Sequence, residues 1–248
     1  MNTVLRKIGV LFKRKRNAKK IGIHFTRASG WRLPQEILIK NKEVTLDLLS
    51  DQSTSTSFAD IFLDDVYGLY FFKKHMPSIK RIVDIGANQG LFTVAASNVF
   101  PSRIHAYEPN PSLINRLKFN THDFDVSCFS EAVGLTEGAI KMEEGKDSLH
   151  GKTILSYAGD IPQVSLQKVI ARMNGSIDLL KLDCEGAEWE ILQDAASLSK
   201  VKAITMEYHT DNSRNHDAIK IILTNAGFRI LHYEISGPTW GIVWAVKS

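Results

Sequence analysis

The stretch Arg81-Ile82-Val83-Asp84-Ile85-Gly86-Ala87-Asn88-Gln89-Gly90-Leu91-Phe92 decides the fold. A short apolar run carrying Asp84 reads as a buried strand, Gly86 and Gly90 mark a tight turn, and a helix opens at Leu91. Glycines let backbone amides come close to a ligand, and a helix N-terminus adds a favourable dipole. The spacing is D-x-G-x-x-x-G, which differs from the dinucleotide fingerprint G-x-G-x-x-G. An acid at the strand tip would repel a pyrophosphate and suits a ligand that carries an ammonium group. Alone, the stretch also fits a purely structural strand–turn–helix unit.

Outward from it, strands and helices alternate. Arg81–Ile85, Arg103–Glu108, Val126–Phe129, Asp178–Asp183, Ala203–His209, Arg229–Ile235 and Ile242–Val246 read as strands. Leu91–Val99, Pro111–Asn120, Ala187–Ala195 and Asn215–Asn225 read as helices, with Pro111 suited to a first turn. Such alternation predicts an α/β fold with a mainly parallel sheet covered on both faces. Only Ser236-Gly237-Pro238-Thr239 joins the last two strands, so they should pair antiparallel. Before this domain (79–248), residues 31–78 read as a small accessory region. There Gln35–Ile39 and Glu43–Leu48 form a hairpin, Asp51–Ser57 a loop and Asp64–Lys74 a helix. Residues 1–30 form a basic tail.

Three further segments place chemistry at strand ends. Glu108 follows Gly90 by 18 residues, close to the ~20 expected of an acid that binds ribose hydroxyls in a βαβ unit. Asp178–Asp183 delivers Asp183 to a carboxyl end, and Gly186 turns the chain. Glu185 and Glu188 then stand three apart, on one helical face. In Ala203–His209, alternation puts Glu207 and His209 on one side and Met206 and Tyr208 on the other. Were this strand beside the Asp183 strand, roughly 5 Å away, then Asp183, Glu185, Glu207 and His209 would ring one pocket.

Composition narrows the class. The chain has 248 residues, 44% hydrophobic and 23% charged, enough for one sizeable domain without staples. Cys128 and Cys184 are the only cysteines and form no CxxC, which argues against a disulfide framework or a zinc site. No apolar run approaches the ~20 residues that cross a bilayer, and the N-terminus lacks a signal-peptide core. The expected location is cytoplasmic, with peripheral contact at the inner face of a membrane as an option. Residues 1–32 hold ten Lys/Arg and no acid, whereas the rest has 21 bases against 27 acids. An acidic body makes nucleic acid a poor partner. Leu5, Ile8, Leu11 and Phe12 at near-helical spacing among those bases read either as an amphipathic anionic-membrane contact or as a solvated tail.

Together VDIGANQGLFT, YEPNP, Glu131–Gly134 (EAVG), DLLKLDCEGAEWEIL and MEYH resemble the FkbM family of methyltransferases over roughly residues 58–245. The resemblance implies a class I methyltransferase, Rossmann-like fold with a mostly parallel seven-stranded sheet and an antiparallel C-terminal strand. It implies S-adenosylmethionine as cofactor, and usually a hydroxyl acceptor on a sugar or other small molecule. Carried over, Asp84, Gly86, Asn88 and Gly90, with Asp183, would hold the methionine part, Glu108 the ribose, and Ala132 or its neighbours the adenine. One departure is Ser165-Leu166-Gln167, where the family tends to have T-L-D. For catalysis, His209 is the expected base, oriented by Glu207, with Asp183 and Glu185 beside it. An alternative is a divalent metal, magnesium by its oxygen ligands, on Asp183, Glu185 and Glu207; metal-free chemistry is favoured. The rival functions are an NAD-dependent oxidoreductase, against which the glycine spacing speaks, and a non-catalytic cofactor-binding module tethered to a membrane.

Overall fold

The computed structural model describes residues 3–23, 32–142, 153–155, 159–211 and 213–248. The chain opens with α1 (Thr3–Lys20), the hairpin β1 (Glu36–Ile39) and β2 (Lys42–Thr45), α2 (Gln52–Phe58) continuing into a π-helical turn (Ala59–Leu63), and α3 (Leu69–His75). Next come β3 (Arg81–Ile85), α4 (Leu91–Val99), β4 (Arg103–Tyr107), α5 (Pro111–Thr121) and β5 (Val126–Phe129). A smaller sheet follows, of β6 (Ala132–Gly134), β7 (Gly138–Met142), β8 (Thr153–Leu155) and β9 (Ile161–Ser165), leading into α6 (Leu166–Arg172). The chain closes with β10 (Leu179–Leu182), α7 (Glu188–Ile191), α8 (Ala195–Leu198), β11 (Ala203–His209), α9 (His216–Asn225), β12 (Phe228–Ile235) and β13 (Trp240–Lys247).

The main sheet has seven strands in the order β12-β13-β11-β10-β3-β4-β5. β3, β4, β5, β10 and β11 pair parallel, while β13 runs antiparallel between β11 and β12. This is the class I methyltransferase arrangement. Strands β4 and β5 extend the sheet to one side of β3, and β10 and β11 to the other. The chain therefore reverses its direction of travel at β3, and open α/β sheets bind ligands in the crevice at such a switch point.

Alternation along the strands splits the core between two faces. Ile82, Ile104, Leu179 and Ala203 join α3 and α4 on one face, whereas Val83, Ile85, Leu180, Leu182 and Met206 join α6 to α9 on the other. The accessory region does not stand apart. Ile37, Ile39, Val44, Phe58, Phe62, Leu69 and Phe72 share the first face's core. Among the described residues no helix is long and apolar enough to cross a membrane.

Four local expectations are corrected. The polar run at 51–57 is helical, because the Asp51 carboxylate caps α2 by accepting from the Thr54 amide at 2.7 Å, and Thr54 and Phe58 turn inward. The helix expected from Asp64 begins only at Leu69. Asp65 adopts φ 50° and its carboxylate takes the Leu69 and Tyr70 amides. The helix expected over Ala187–Ala195 is broken into α7 and α8, since Asp194 leaves the helical conformation and caps α8 through the Ser197 amide. The basic tail is helical over Thr3–Lys20 and packed along one side: Ala18 and Ile21 are buried, and Asn17 donates to the Leu63 carbonyl at 2.8 Å. Residues 24–30 of that tail lie outside the described residues.

Candidate active site

A cleft of about 1400 Å³ lies over the carboxyl ends of β3, β4, β10 and β11. At one end the wall is mostly backbone. The chain after β3 packs so closely on the chain after β10 that a Cβ on Gly86, whose φ is +77°, would come 1.7 Å from the Asp183 carbonyl oxygen. The Gly86 and Ala87 amides both donate to the Tyr107 carbonyl at 3.0 Å, tying this loop to β4. Asn88 and Gly90 also have positive φ, 51° and 90°. Glu108, 6% exposed, accepts from the Asn88 amide on one oxygen and the Asn110 amide on the other, each at 2.7 Å. Burial raises its pKa to about 7, although those two amides pull it down. Each oxygen keeps a lone pair for another donor, so a vicinal diol fits it. Ala132 and Val133 line the cleft beside Glu108, with Glu131 clasped by Arg172.

The other end is charged. Lys181, on β10, is the one charged residue of an otherwise apolar strand. Its ammonium lies 3.1 Å from Asp84 and 3.6 Å from Asp183, and donates to the Gly86 carbonyl at 2.7 Å. Burial would lower its pKa, but Asp84 and Asp183 outweigh that and raise it. Asp183 also accepts from the Tyr67 hydroxyl at 2.8 Å. Around His209 stand three carboxylates: Glu207 at 3.5 Å and Glu185 at 3.7 Å from Nε2, and Glu188 at 3.7 Å from Nδ1. These are ion-pair distances, longer than hydrogen bonds. Burial would push the His209 pKa down, but Glu188, Glu207 and Glu185 raise it to about 11. Burial pushes Glu185 up to about 7, opposed by His209, and it raises Glu207 as well.

The sequence of residues 84–230 matches the methyltransferase FkbM domain. The chain belongs to the FkbM methyltransferase family. It is an S-adenosylmethionine-dependent methyltransferase, which removes the oxidoreductase alternative. Among solved structures, the chain is similar to magnesium protoporphyrin IX methyltransferase (ChlM) from Synechocystis PCC 6803 with bound S-adenosylhomocysteine, at 11% identity and a TM-score of 0.49. That match covers 82% of this chain and 90% of the other. A second is the N-terminal domain of EvdMO1, crystallised with S-adenosylhomocysteine and D-fucose, at 14% identity and a TM-score of 0.47, covering 75% of this chain and 83% of that domain. Against EvdMO1 as a whole, at 16% identity and a TM-score of 0.46, the match covers 74% of this chain but only 41% of EvdMO1.

In this FkbM methyltransferase the cleft gathers Gly86, Asn88, Glu108, Ala132, Asp183, Glu185, Glu207 and His209 along one wall. Asp84 is placed otherwise. It is fully buried behind the glycine loop, where its carboxylate accepts from Thr93 at 2.6 Å and faces Lys181. Its charge is thus met from inside the protein, so it does not meet the ammonium group expected from the sequence. Gly90 acts at the start of α4, where a Cβ would meet Leu117 at 2.9 Å. Glu188 does not share a face with Glu185. It is fully buried and binds the Cys184 and Gly186 amides at 2.8 Å, fixing the loop that carries Glu185 at φ 55°.

His209 requires a correction of role. A ring held as a cation has no lone pair with which to take a proton, so the carboxylates beside it are the groups suited to that work. Among the described residues no three His, Cys, Asp or Glu converge as a metal site, so Asp183, Glu185 and Glu207 do not form one. Gln167, where the family tends to have an acid, is exposed on α6 and does not line the cleft.

Two residues escaped the sequence reading. A lysine inside the apolar run Leu179–Leu182 was a legible signal, because a buried ammonium requires a carboxylate partner. Tyr67 carried none: its ring packs edge-on against Phe92 at 5.3 Å like any core aromatic, and only the fold brings its hydroxyl to Asp183.

Proposed function

We propose that this enzyme methylates a hydroxyl of a sugar or glycan-like small molecule, with Glu185 as the base. The observation that carries the reading is the placement of Glu185, a carboxyl with a pKa near 7, against a histidine cation at the end of the cleft away from Glu108. S-adenosylmethionine supplies an electrophilic methyl group, and positioning does much of the remaining work. Gly86, Asn88 and Gly90 shape the loop for the methionine part, Glu108 takes the ribose diol, Ala132 flanks the adenine, and Asp183, held by Tyr67 and Lys181, faces the ammonium group. A hydroxyl acceptor must lose its proton as it attacks, and a group with pKa near the working pH serves this best. Glu207 and the His209 cation keep Glu185 oriented and hold its pKa from rising further. Lys181 and His209 already neutralise much of the carboxylate charge, which favours chemistry without a divalent metal. Residues 1–30 supply a peripheral contact with an anionic membrane.

The test is a turnover assay on neutral sugars and glycans, following formation of S-adenosylhomocysteine and the mass of the product. A gain of one methyl on oxygen, undiminished by a chelator, is expected. Transfer to nitrogen or carbon alone, or a rate lost with the chelator and restored by magnesium, would overturn the acceptor or the metal-free part of the proposal.

A further inference from the structure

We infer that the outward face of α1 is a docking surface for an anionic phospholipid bilayer. The inference deepens the membrane contact proposed above and rests on that reading of residues 1–30. α1 is clamped to the body. The Arg14 guanidinium donates to both Asp64 oxygens at 2.9 and 3.1 Å, Asn17 to the Leu63 carbonyl at 2.8 Å, and Lys13 to the Asp64 carbonyl. Lys20 lies 3.9 Å from the centre of the Tyr70 ring. These contacts fix which face of the helix points away.

That face carries Ile8, Phe12, Lys15 and Lys19. At about 100° per residue these four fall within roughly 60° of one another, opposite buried Ala18. Ile8 is 43% exposed and Phe12 70%, and with Val10 they are three of the seven large exposed hydrophobic residues in the described structure. Lys15, Arg16 and Lys19 are exposed too, and among the described residues they make no ion pair. Positive charge is concentrated here, since residues 1–32 contain no acid and the remainder is net acidic.

The charge calls for an anionic partner. The apolar side chains set among the bases decide which kind: a bilayer offers phosphate at its surface and hydrocarbon just beneath it, so both are met at once. A nucleic acid would meet only the charge. Val10 and Lys13, on the flank of the same helix, line the cleft, so lipid bound to α1 lies at the edge of the active site.

The full chain is sedimented with vesicles of equal parts phosphatidylglycerol and phosphatidylcholine, and with phosphatidylcholine alone. Wild type should pellet with the first and not the second, and should be released at high salt. Combining Lys15→Gln, Arg16→Gln and Lys19→Gln should weaken partition on the order of 100-fold, and Phe12→Ser about tenfold. Affinity for S-adenosylhomocysteine, measured by calorimetry, should be unchanged in every variant, because none of these side chains lines the cleft. Wild type left in the supernatant with the anionic vesicles, or a triple variant that pellets equally, overturns the inference. Tighter binding to a DNA duplex than to vesicles overturns it as well. Loss of S-adenosylhomocysteine binding in wild type would count against the active-site assignment and not against this surface.

Discussion

The two ends of the cleft are built on opposite principles. The Gly86–Gly90 end is made of backbone: tight turns, amides bound to Tyr107 and Glu108, and room that only glycine leaves. The Glu185–Glu207–His209 end is made of side chains whose charges hold one another in place. Backbone geometry is rigid and insensitive to pH, whereas a knot of carboxylates around a histidine titrates as a unit. Changes at the first end should therefore alter affinity for the cofactor. Changes at the second should alter rate and its pH dependence.

The largest effect should come from Gly86→Ala. With a carbonyl oxygen 1.7 Å from the new Cβ, the loop must move. Cofactor binding should be lost and the melting temperature lowered by about 10 °C, as for a destabilisation of about 4 kcal/mol. A variant that melts normally and still binds in calorimetry would end the description of this wall as backbone-built.

Glu185→Gln comes next, with turnover reduced ~100-fold or more and cofactor affinity kept. Wild-type rate should climb as pH passes about 7, because below that value Glu185 holds its proton. This limb should vanish in Glu185→Gln. His209→Gln removes the cation that lowers the Glu185 pKa, so the limb should move to higher pH. A limb unmoved by His209→Gln and still present in Glu185→Gln would assign the proton transfer elsewhere.

Glu108→Ala should weaken cofactor binding by ~1–3 kcal/mol while leaving turnover at saturating cofactor nearly intact. Equal affinity in calorimetry would remove Glu108 from the site. The carboxyl also leaves a mark on stability. Its folded pKa of about 7 exceeds the unfolded value, so it favours the fold while protonated at low pH and loses that contribution as pH rises from about 4.5 through 7. Thermal melts across this range should show a flatter profile for Glu108→Gln than for wild type.

The smallest effect belongs to Tyr67→Phe, which removes one hydrogen bond to Asp183. About 1 kcal/mol, a roughly fivefold fall in kcat/KM, is expected with no change in fold by circular dichroism. A rate equal to wild type would show that the accessory region closes the cleft without orienting Asp183.

Legibility in the sequence followed the same divide. Arg81–Ile85, Leu91–Val99 and Val126–Phe129 lie where the pattern put them, because a buried parallel strand and a capped helix are dictated by neighbours in sequence. The sheet of β6 to β9 gave no comparable warning. Its strands are three to five residues long and three of the four lack a strong alternation. At the site, glycine spacing and strand-end acids could be found by position along the chain. Their protonation could not, since it depends on contacts such as His209 with Glu188, 21 residues away, or Lys181 with Asp84, 97 away. Asp84 shows the cost of inferring a partner from residue type: an acid at a strand tip was matched to a ligand, while the lysine of the neighbouring strand had already taken it.

The π-helical turn at Ala59–Leu63 has a consequence for how this protein tolerates insertions and deletions. A π turn holds one residue more than an α turn, so the segment is a place where chain length can change without breaking the helix. Deleting a single residue there would let α2 run on as an ordinary helix. Everything after it would then rotate by about 100° relative to what precedes it. Asp64, which anchors Arg14, and Tyr67, which binds Asp183, lie one to four residues beyond that turn. One extra residue thus keeps the N-terminal helix and the active site in phase, and a length change that a surface loop would absorb unnoticed should here uncouple the two.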